Sequence, residues 1–164
     1  MKTHMFGSTL FAASALAMLV CAQPALAADS IVKVTLNDTS PDINLDLRLG
    51  MGLKGDMTKA TMSLKAEPDT VAPGVVTFQV INASKTTIHE MILSPAADPT
   101  KPLPFNANES RVDAEKAEHL GEVSELDIGK TGALTVTLKP GTYLIYCNIP
   151  GHYMSGMWTT ISVK

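Results

Sequence analysis

A thiol, an imidazole and a thioether stand at regular intervals in "YCNIPGHYMSGMW", residues 146–158. The pattern is Cys147-x4-His152-x4-Met157, with the turn-forming pair Pro150-Gly151 ahead of the histidine. All three side chains are metal donors: thiolate and thioether select Cu(I), and imidazole suits both copper states as well as zinc. One thiolate, two imidazoles and a weak axial thioether make the trigonal site of electron-carrying copper proteins. Met154 lies in the same loop and competes with Met157 for the thioether role. A second imidazole must come from elsewhere. Of the four histidines, His4 falls in an N-terminal leader and His119 in an irregular stretch. His89 remains, in the strand-like run "TTIHEMIL"; taken alone, it reads equally as a packed strand residue.

These donors need a rigid frame, and the chain reads mostly as strands. "IVKVTL" (31–36), "INLDLRL" (43–49), "VVTFQVI" (75–81), "TIHEMIL" (87–93), "ALTVTL" (133–138), "TYLIY" (142–146) and "WTTISV" (158–163) carry strand-like runs, most of them alternating apolar and polar residues. Such period-two runs give sheets with one buried face. Pro73-Gly74, Asn82-Ala83-Ser84 and Pro140-Gly141 supply turns between them. The expectation is an all-β sandwich or small barrel of about seven to eight strands. In "TYLIYC", Tyr143, Ile145 and Cys147 share one face, so a core-facing strand delivers the thiol to the interior at its end. Residues 94–125 break the rhythm. Their Pro- and Asn-rich start predicts a loop, and "ESRVDAEKAEHLGEV" a short helix capped by Ser110 or Asp113 and ended by Gly121. There is no internal repeat, and residues 28–164 read as a single domain.

The leader occupies residues 1–27. Lys2, the apolar run "LFAASALAMLVCA" and small residues at Ala25 and Ala27 predict a secretory signal peptide cut after Ala27. The apolar run is shorter than the roughly 20 residues a spanning helix requires, so no membrane span is expected after cleavage. Lipidation at Cys21 would put bulky Val20 where a small residue belongs. Of the two cysteines, Cys21 leaves with the leader. The exported chain then holds one unpaired thiol, Cys147, which in an oxidising compartment implies a ligand, a nucleophile or a core residue. Losing Lys2 takes the formal charge from -3 to -4, and no basic patch is present to neutralise phosphates, which argues against nucleic acid.

Two stretches resemble the cupredoxins, the small type 1 blue copper proteins such as plastocyanin and azurin. "VINASKTTIHEMIL" is similar to their strand, turn and first histidine, and "GTYLIYCNIPGHYMSGMWTTISV" to their ligand loop and closing strand. The resemblance covers about residues 70–93 and 130–164. It implies a Greek-key sandwich, one copper per chain and the ligands His89, Cys147, His152 and Met157, because the family's axial methionine opens the last strand. Two positions depart from the pattern. Glu90 follows the first histidine where the best-known members have an asparagine that braces the ligand loop, and Ile88 stands where azurin has a glycine.

The function implied is single-electron transfer between periplasmic redox proteins by a monomer, with no enzymatic activity. His152 is the expected exit, within an apolar rim of Ile149, Pro150, Tyr153 and Met154. Zinc is the competing metal for the same ligands. The competing function is copper handling by a chaperone or storage protein, suggested by Met51, Met57 and Met62 in "GMGLKGDMTKATM". A thiolate ligand also predicts a Cys147 that reacts without metal and is protected with it.

Overall fold

The fold follows from where alternating residues find cover. The computed structural model describes residues 29–164; the leader expected over 1–27 lies outside them. The strands run, in chain order, β1 (Ser30–Asp38), β2 (Met62–Glu67), β3 (Thr70–Val71), β4 (Gly74–Asn82), β5 (His89–Pro95), β6 (Phe105–Asn106), β7 (Arg111–Val112), β8 (Gly121–Leu126), β9 (Thr131–Leu138), β10 (Gly141–Tyr146) and β11 (Trp158–Val163). One sheet has the order β2-β1-β4-β9 and the other β3-β11-β10-β5-β8, while β6 and β7 form a small separate hairpin. β1 lies parallel to β4, with Leu36 opposite Asn82. β10 lies antiparallel between β11 and β5. The result is an open two-sheet sandwich rather than a closed barrel.

Between the sheets lies the main core. Val32, Val34 and Leu36 of β1, Val76, Phe78 and Val80 of β4, Met91 and Leu93 of β5, and Tyr143 and Ile145 of β10 all point into it. Cys147 and Met157 belong to the same cluster. The opposite face of β5 and β10 is buried too. Ile92, Leu144 and Tyr146 pack with Ala96, Leu103, Val112, Ala117, Met51 and Tyr153 in a second cluster. The excursion after β5 is therefore a cover for the outer face of the strands that lead to the thiol. Its apolar residues bury a sheet face that would otherwise meet water.

Three expectations are corrected. "INLDLRL" is not a strand. The Asn44 side chain accepts from the Asp46 N–H, a 3-10 turn follows over Leu45–Leu47, and Arg48 adopts a positive φ of 50°. That local hydrogen bond offers the backbone an alternative to a ladder, and the alternating residues do not share one buried face: Ile43 and Leu45 are exposed while Leu49 is buried. The short helix expected after Ser110 does not form. Asp113 accepts the Lys116 N–H, and the Ala117 and His119 N–H groups reach the Asp113 and Ala114 carbonyls, but Glu118 turns to φ 52°. One unpropagated turn remains. β2 and β8, finally, are strands where none was expected, with Met62, Leu64 and Ala66 alternating inward along β2.

Candidate metal centre

One end of the sandwich gathers the polar residues that its strands point inward. Alternation along β1 places Asp38 on the face of Val34 and Leu36, and alternation along β4 places Asn82 on the face of Phe78 and Val80. Because β1 and β4 are parallel, both chains deliver these groups to the same end. There His89 opens β5, and Cys147 follows β10 directly.

Two imidazoles and the thiol converge at this end. His89 Nδ1 lies 3.1 Å from His152 Nδ1. Cys147 Sγ lies 3.3 Å from His152 Nδ1 and 3.9 Å from His89 Nδ1. The rings meet edge to face, 65° apart. All three residues are buried, and their donor atoms lie within 4.8 Å of one another. Met157 is fully buried in the same core cluster as Cys147. Its backbone ties the loop together: the Cys147 N–H donates to the Met157 carbonyl at 3.1 Å, and the Met157 N–H to the His152 carbonyl at 3.1 Å. Met154 lies elsewhere. It packs with the second cluster and stands over Gly50, where an added Cβ would be 3.1 Å from its sulfur. His119 stays in the excursion and does not join the group.

The surroundings prepare the donors. His89 Nε2 is 3.0 Å from Asp38 Oδ2. A carboxylate has no proton to give, so Nε2–H is the donor and Nδ1 keeps its lone pair toward Cys147. Asp38 in turn accepts from Ser84 Oγ at 2.6 Å and Thr86 Oγ1 at 2.7 Å. Burial alone would raise its pKa, but these hydrogen bonds and His89 together hold it below the usual carboxylate range. Burial lowers the pKa of His89, and Asp38 partly restores it. His152 makes no hydrogen bond to Asp38: burial, then the neighbouring His89, takes its pKa down to about 4, with the Asp38 charge opposing from a distance. Burial also pushes the Cys147 thiol up to about 12. Cys147 is fully buried, so access as well as thiolate character bears on its reactivity toward reagents in solution.

The position after the first histidine resolves as well. The Glu90 N–H points at Cys147 Sγ, 3.5 Å away, and its carboxylate accepts the Asn148 N–H at 3.1 Å. Glu90 thus braces the loop that follows β10. It does so from a buried site, and burial, with the charge of Glu122 next, raises its pKa. A bulge between His89 and Met91 accompanies this placement. The excursion adds further braces: Asn148 bonds both backbone groups of Val112 at 2.7 and 3.0 Å, and the Gly151 N–H donates to the Ser110 carbonyl at 2.8 Å.

The rim differs from expectation. Tyr153 turns inward, and its hydroxyl accepts the Leu103 N–H. His152 is only 3% exposed. The segment before β2 lies over the loop: the Leu49 N–H donates to the Met154 carbonyl, and the Trp158 indole N–H to the Leu49 carbonyl at 2.7 Å. Ile43 rests on Gly151, where a Cβ would come within 2.5 Å of it. Gly151 also has φ 84°, so glycine fits there for two reasons. Asp38 and the cover at Ile43 were both missed from sequence. A carboxylate at an inward position of β1 was the available signal for the first.

Comparison with known proteins finds similar chains. The model of the sulfocyanin (SoxE) domain matches residues 123–164, which include the whole ligand loop. Auracyanin-B of Chloroflexus aurantiacus is 27% identical over 132 residues, covering 70% of this chain and 56% of that protein. The chain thus spans little more than half the length of that relative. Among solved structures, a methionine-to-glutamine mutant of rusticyanin superposes with a TM-score of 0.50 at 20% identity, covering 82% of this chain and 78% of the other. Reduced auracyanin from Roseiflexus castenholzii gives a TM-score of 0.46 at 19% identity, covering 84% and 98%. The sandwich fold is shared with rusticyanin, and the loop that carries Cys147, His152 and Met157 lies inside the stretch that matches the sulfocyanin (SoxE) domain.

Proposed function

We propose that the exported chain is a monomeric type 1 copper protein, one copper per chain, that carries single electrons between periplasmic redox proteins. His89, Cys147, His152 and Met157 would hold the metal. The observation that supports this most is the convergence of two Nδ1 atoms and one Sγ within 4.8 Å inside a buried pocket of the sandwich. The donor set fits copper: one soft thiolate, two imidazoles and a thioether in the same core. Bound copper supplies a one-electron Cu(II)/Cu(I) couple. The chain's residues hold the donors still for both states. His89 is fixed from β5 and Asp38, Cys147 by the Glu90 N–H, and the loop by Asn148 and Met157. Rigid donors leave little to rearrange when the electron arrives.

Burial on all sides favours a carrier over an enzyme, since it leaves no open face for a substrate. Among the described residues no helix is long and apolar enough to cross a membrane. The export reading rests on the leader sequence. Partner contacts of such carriers are small and weak. The methionines that suggested copper handling do not converge: Met62 lies in the main core, Met51 in the second cluster, and Met57 is exposed.

The test is an absorption and electron paramagnetic resonance spectrum of copper-loaded protein beginning at Ala28, with voltammetry. An intense visible band, lost in Cys147→Ser, and a reversible couple are expected. Loss of the band in Cys147→Ser is the largest effect foreseen for any single change here. Tight copper binding without that band, or transfer of the metal to a partner without a reversible couple, would sink the reading.

A further inference from the structure

Asp38 lies outside the donor set, 51 residues before His89, yet it touches a donor. We infer that the Asp38 carboxylate is a positioning residue that fixes the tautomer of His89 and, through its negative charge, holds the couple toward Cu(II) and its potential low. The inference rests on the copper reading above.

The geometry is that of an ionised carboxylate. Its side chain is fully shielded from solvent and receives three donors: Ser84 Oγ at 2.6 Å and His89 Nε2 at 3.0 Å on Oδ2, and Thr86 Oγ1 at 2.7 Å on Oδ1. Hydroxyl bonds this short are characteristic of charged acceptors. The Ser84 hydroxyl has its own lone pairs occupied, because Ser84 Oγ accepts the Thr86 and Thr87 N–H groups at 3.1 and 3.2 Å. Its proton is therefore free to go to Asp38. Ser84 and Thr86 sit in the turn between β4 and β5, and Asn82 holds that turn by bonds to the Ser84 N–H and the Thr87 carbonyl. The carboxylate thus stands on β1 of one sheet and grips a histidine on β5 of the other.

Two consequences follow. With the proton held on Nε2, His89 presents an unprotonated Nδ1 at all times, and the ring has no second orientation to adopt. A negative group on the far nitrogen also makes the imidazole a stronger donor. The gain is larger for the more highly charged ion, since the attraction scales with charge. Cu(II) is favoured over Cu(I), and the potential falls.

Asp38→Asn isolates the charge. The amide oxygen at the Oδ2 place still accepts from His89 and Ser84, and the amide nitrogen faces Thr86, whose hydroxyl can accept instead of donate. The expected result is an unchanged ligand set, seen as a retained visible band and hyperfine pattern, with Cu(II) affinity lower by about 10- to 100-fold and Cu(I) affinity lowered less. Each tenfold change in the ratio of the two affinities raises the potential by about 59 mV. A potential in Asp38→Asn equal to or below that of the parent overturns the inference. If the variant does not fold, Thr86→Val carries the test with the opposite sign. Removing one hydroxyl donor leaves more charge for His89, so the potential should drop, and an unchanged or higher value overturns the inference. The parent protein separates the two readings: if it shows no type 1 spectrum, the copper reading fails as well, whereas a normal parent spectrum with an unmoved Asp38→Asn potential defeats only the role given to Asp38.

Discussion

His89 and His152 offer the same nitrogen to the same sulfur but are held in opposite ways. His89 is gripped from behind. It opens a strand, and its Nε2 reaches a buried carboxylate that two hydroxyls support. His152 is held by the fold of its own loop. Its N–H donates to the Ile149 carbonyl, and its carbonyl accepts from Ser155 and Met157. The neighbouring Gly151 is covered by Ile43, a residue of a separate segment that is itself 44% exposed. Electrostatics repeats the contrast, since Asp38 supports His89 by both a hydrogen bond and its charge, but His152 by its charge alone, against burial and the neighbouring His89. One limb of the site is rigid and charged behind; the other is neutral and close to the surface. A carrier needs both: a limb that keeps the geometry and a limb thin enough for an electron to cross.

The contrast can be broken most directly by deleting each ring. His89→Ala leaves Asp38 buried without its imidazole donor, whereas His152→Ala strands no charge. A hydrogen bond to a charged group contributes about 1.5–3 kcal/mol, so the metal-free His89→Ala protein should be less stable than metal-free His152→Ala by about that amount. Urea denaturation of both measures it, and equal midpoints would mean that Asp38 does not depend on His89. The pH dependence separates them further. Both histidines have folded pKa values below the unfolded one, so the unfolded chain takes up protons first. Their contribution is complete above about 6.5 and is lost as the pH falls, for His152 down to about 4. Stability of the metal-free parent should therefore decline across that window, and His152→Ala should flatten the decline more than His89→Ala does.

How much of this was legible in the sequence follows the same divide. The loop limb was readable, because Cys147, His152 and Met157 are close in the chain and their spacing is set by one turn between two strands. His89 was readable only through the company it keeps. Asp38 was not read at all, since its partner lies in the other sheet and only the parallel pairing of β1 with β4 brings the two ends together. The strand at 43–49 failed for a related reason. Its alternation was real, but a side-chain hydrogen bond at Asn44 outweighed it, and Ile43 rests on the loop at Gly151 while Leu49 is buried. The excursion failed as a helix because Asp113 starts a turn that no buried stripe continues.

The thioether sharpens the comparison within the loop limb. Met157 shares the core of Cys147, and Met154 packs against Gly50 in the other cluster. Leu nearly conserves the volume of Met, so either replacement should cost about 1.5 kcal/mol or less in stability. A thioether donates to Cu(II) more than leucine does, and the axial ligand tunes the potential. Met157→Leu should raise the potential and shift the visible band, and Met154→Leu should leave both nearly unchanged. Voltammetry on the pair decides, and a shift confined to Met154→Leu would exchange their roles.

The smallest effect concerns the cover. Ile43 rests on Gly151 beside His152, on a segment whose other outward apolar residues include Leu45 and Met57. If the loop limb is where the electron leaves, the thickness of this cover sets the distance to a partner. Ile43→Ala removes part of the cover without touching a donor. Because the side chain is already partly exposed, stability should change by only about 0.5 kcal/mol. The potential and spectrum should hold, since His89, Cys147, His152 and Met157 keep their places. The rate of electron self-exchange, read from nuclear magnetic resonance line widths in mixtures of oxidised and reduced protein, should rise as His152 comes nearer the surface. A charged residue at the same position should lower it, because two copies would then meet with like charges over their exits. A rate indifferent to both changes would move the exit away from His152 and leave the thin limb of the site without that use.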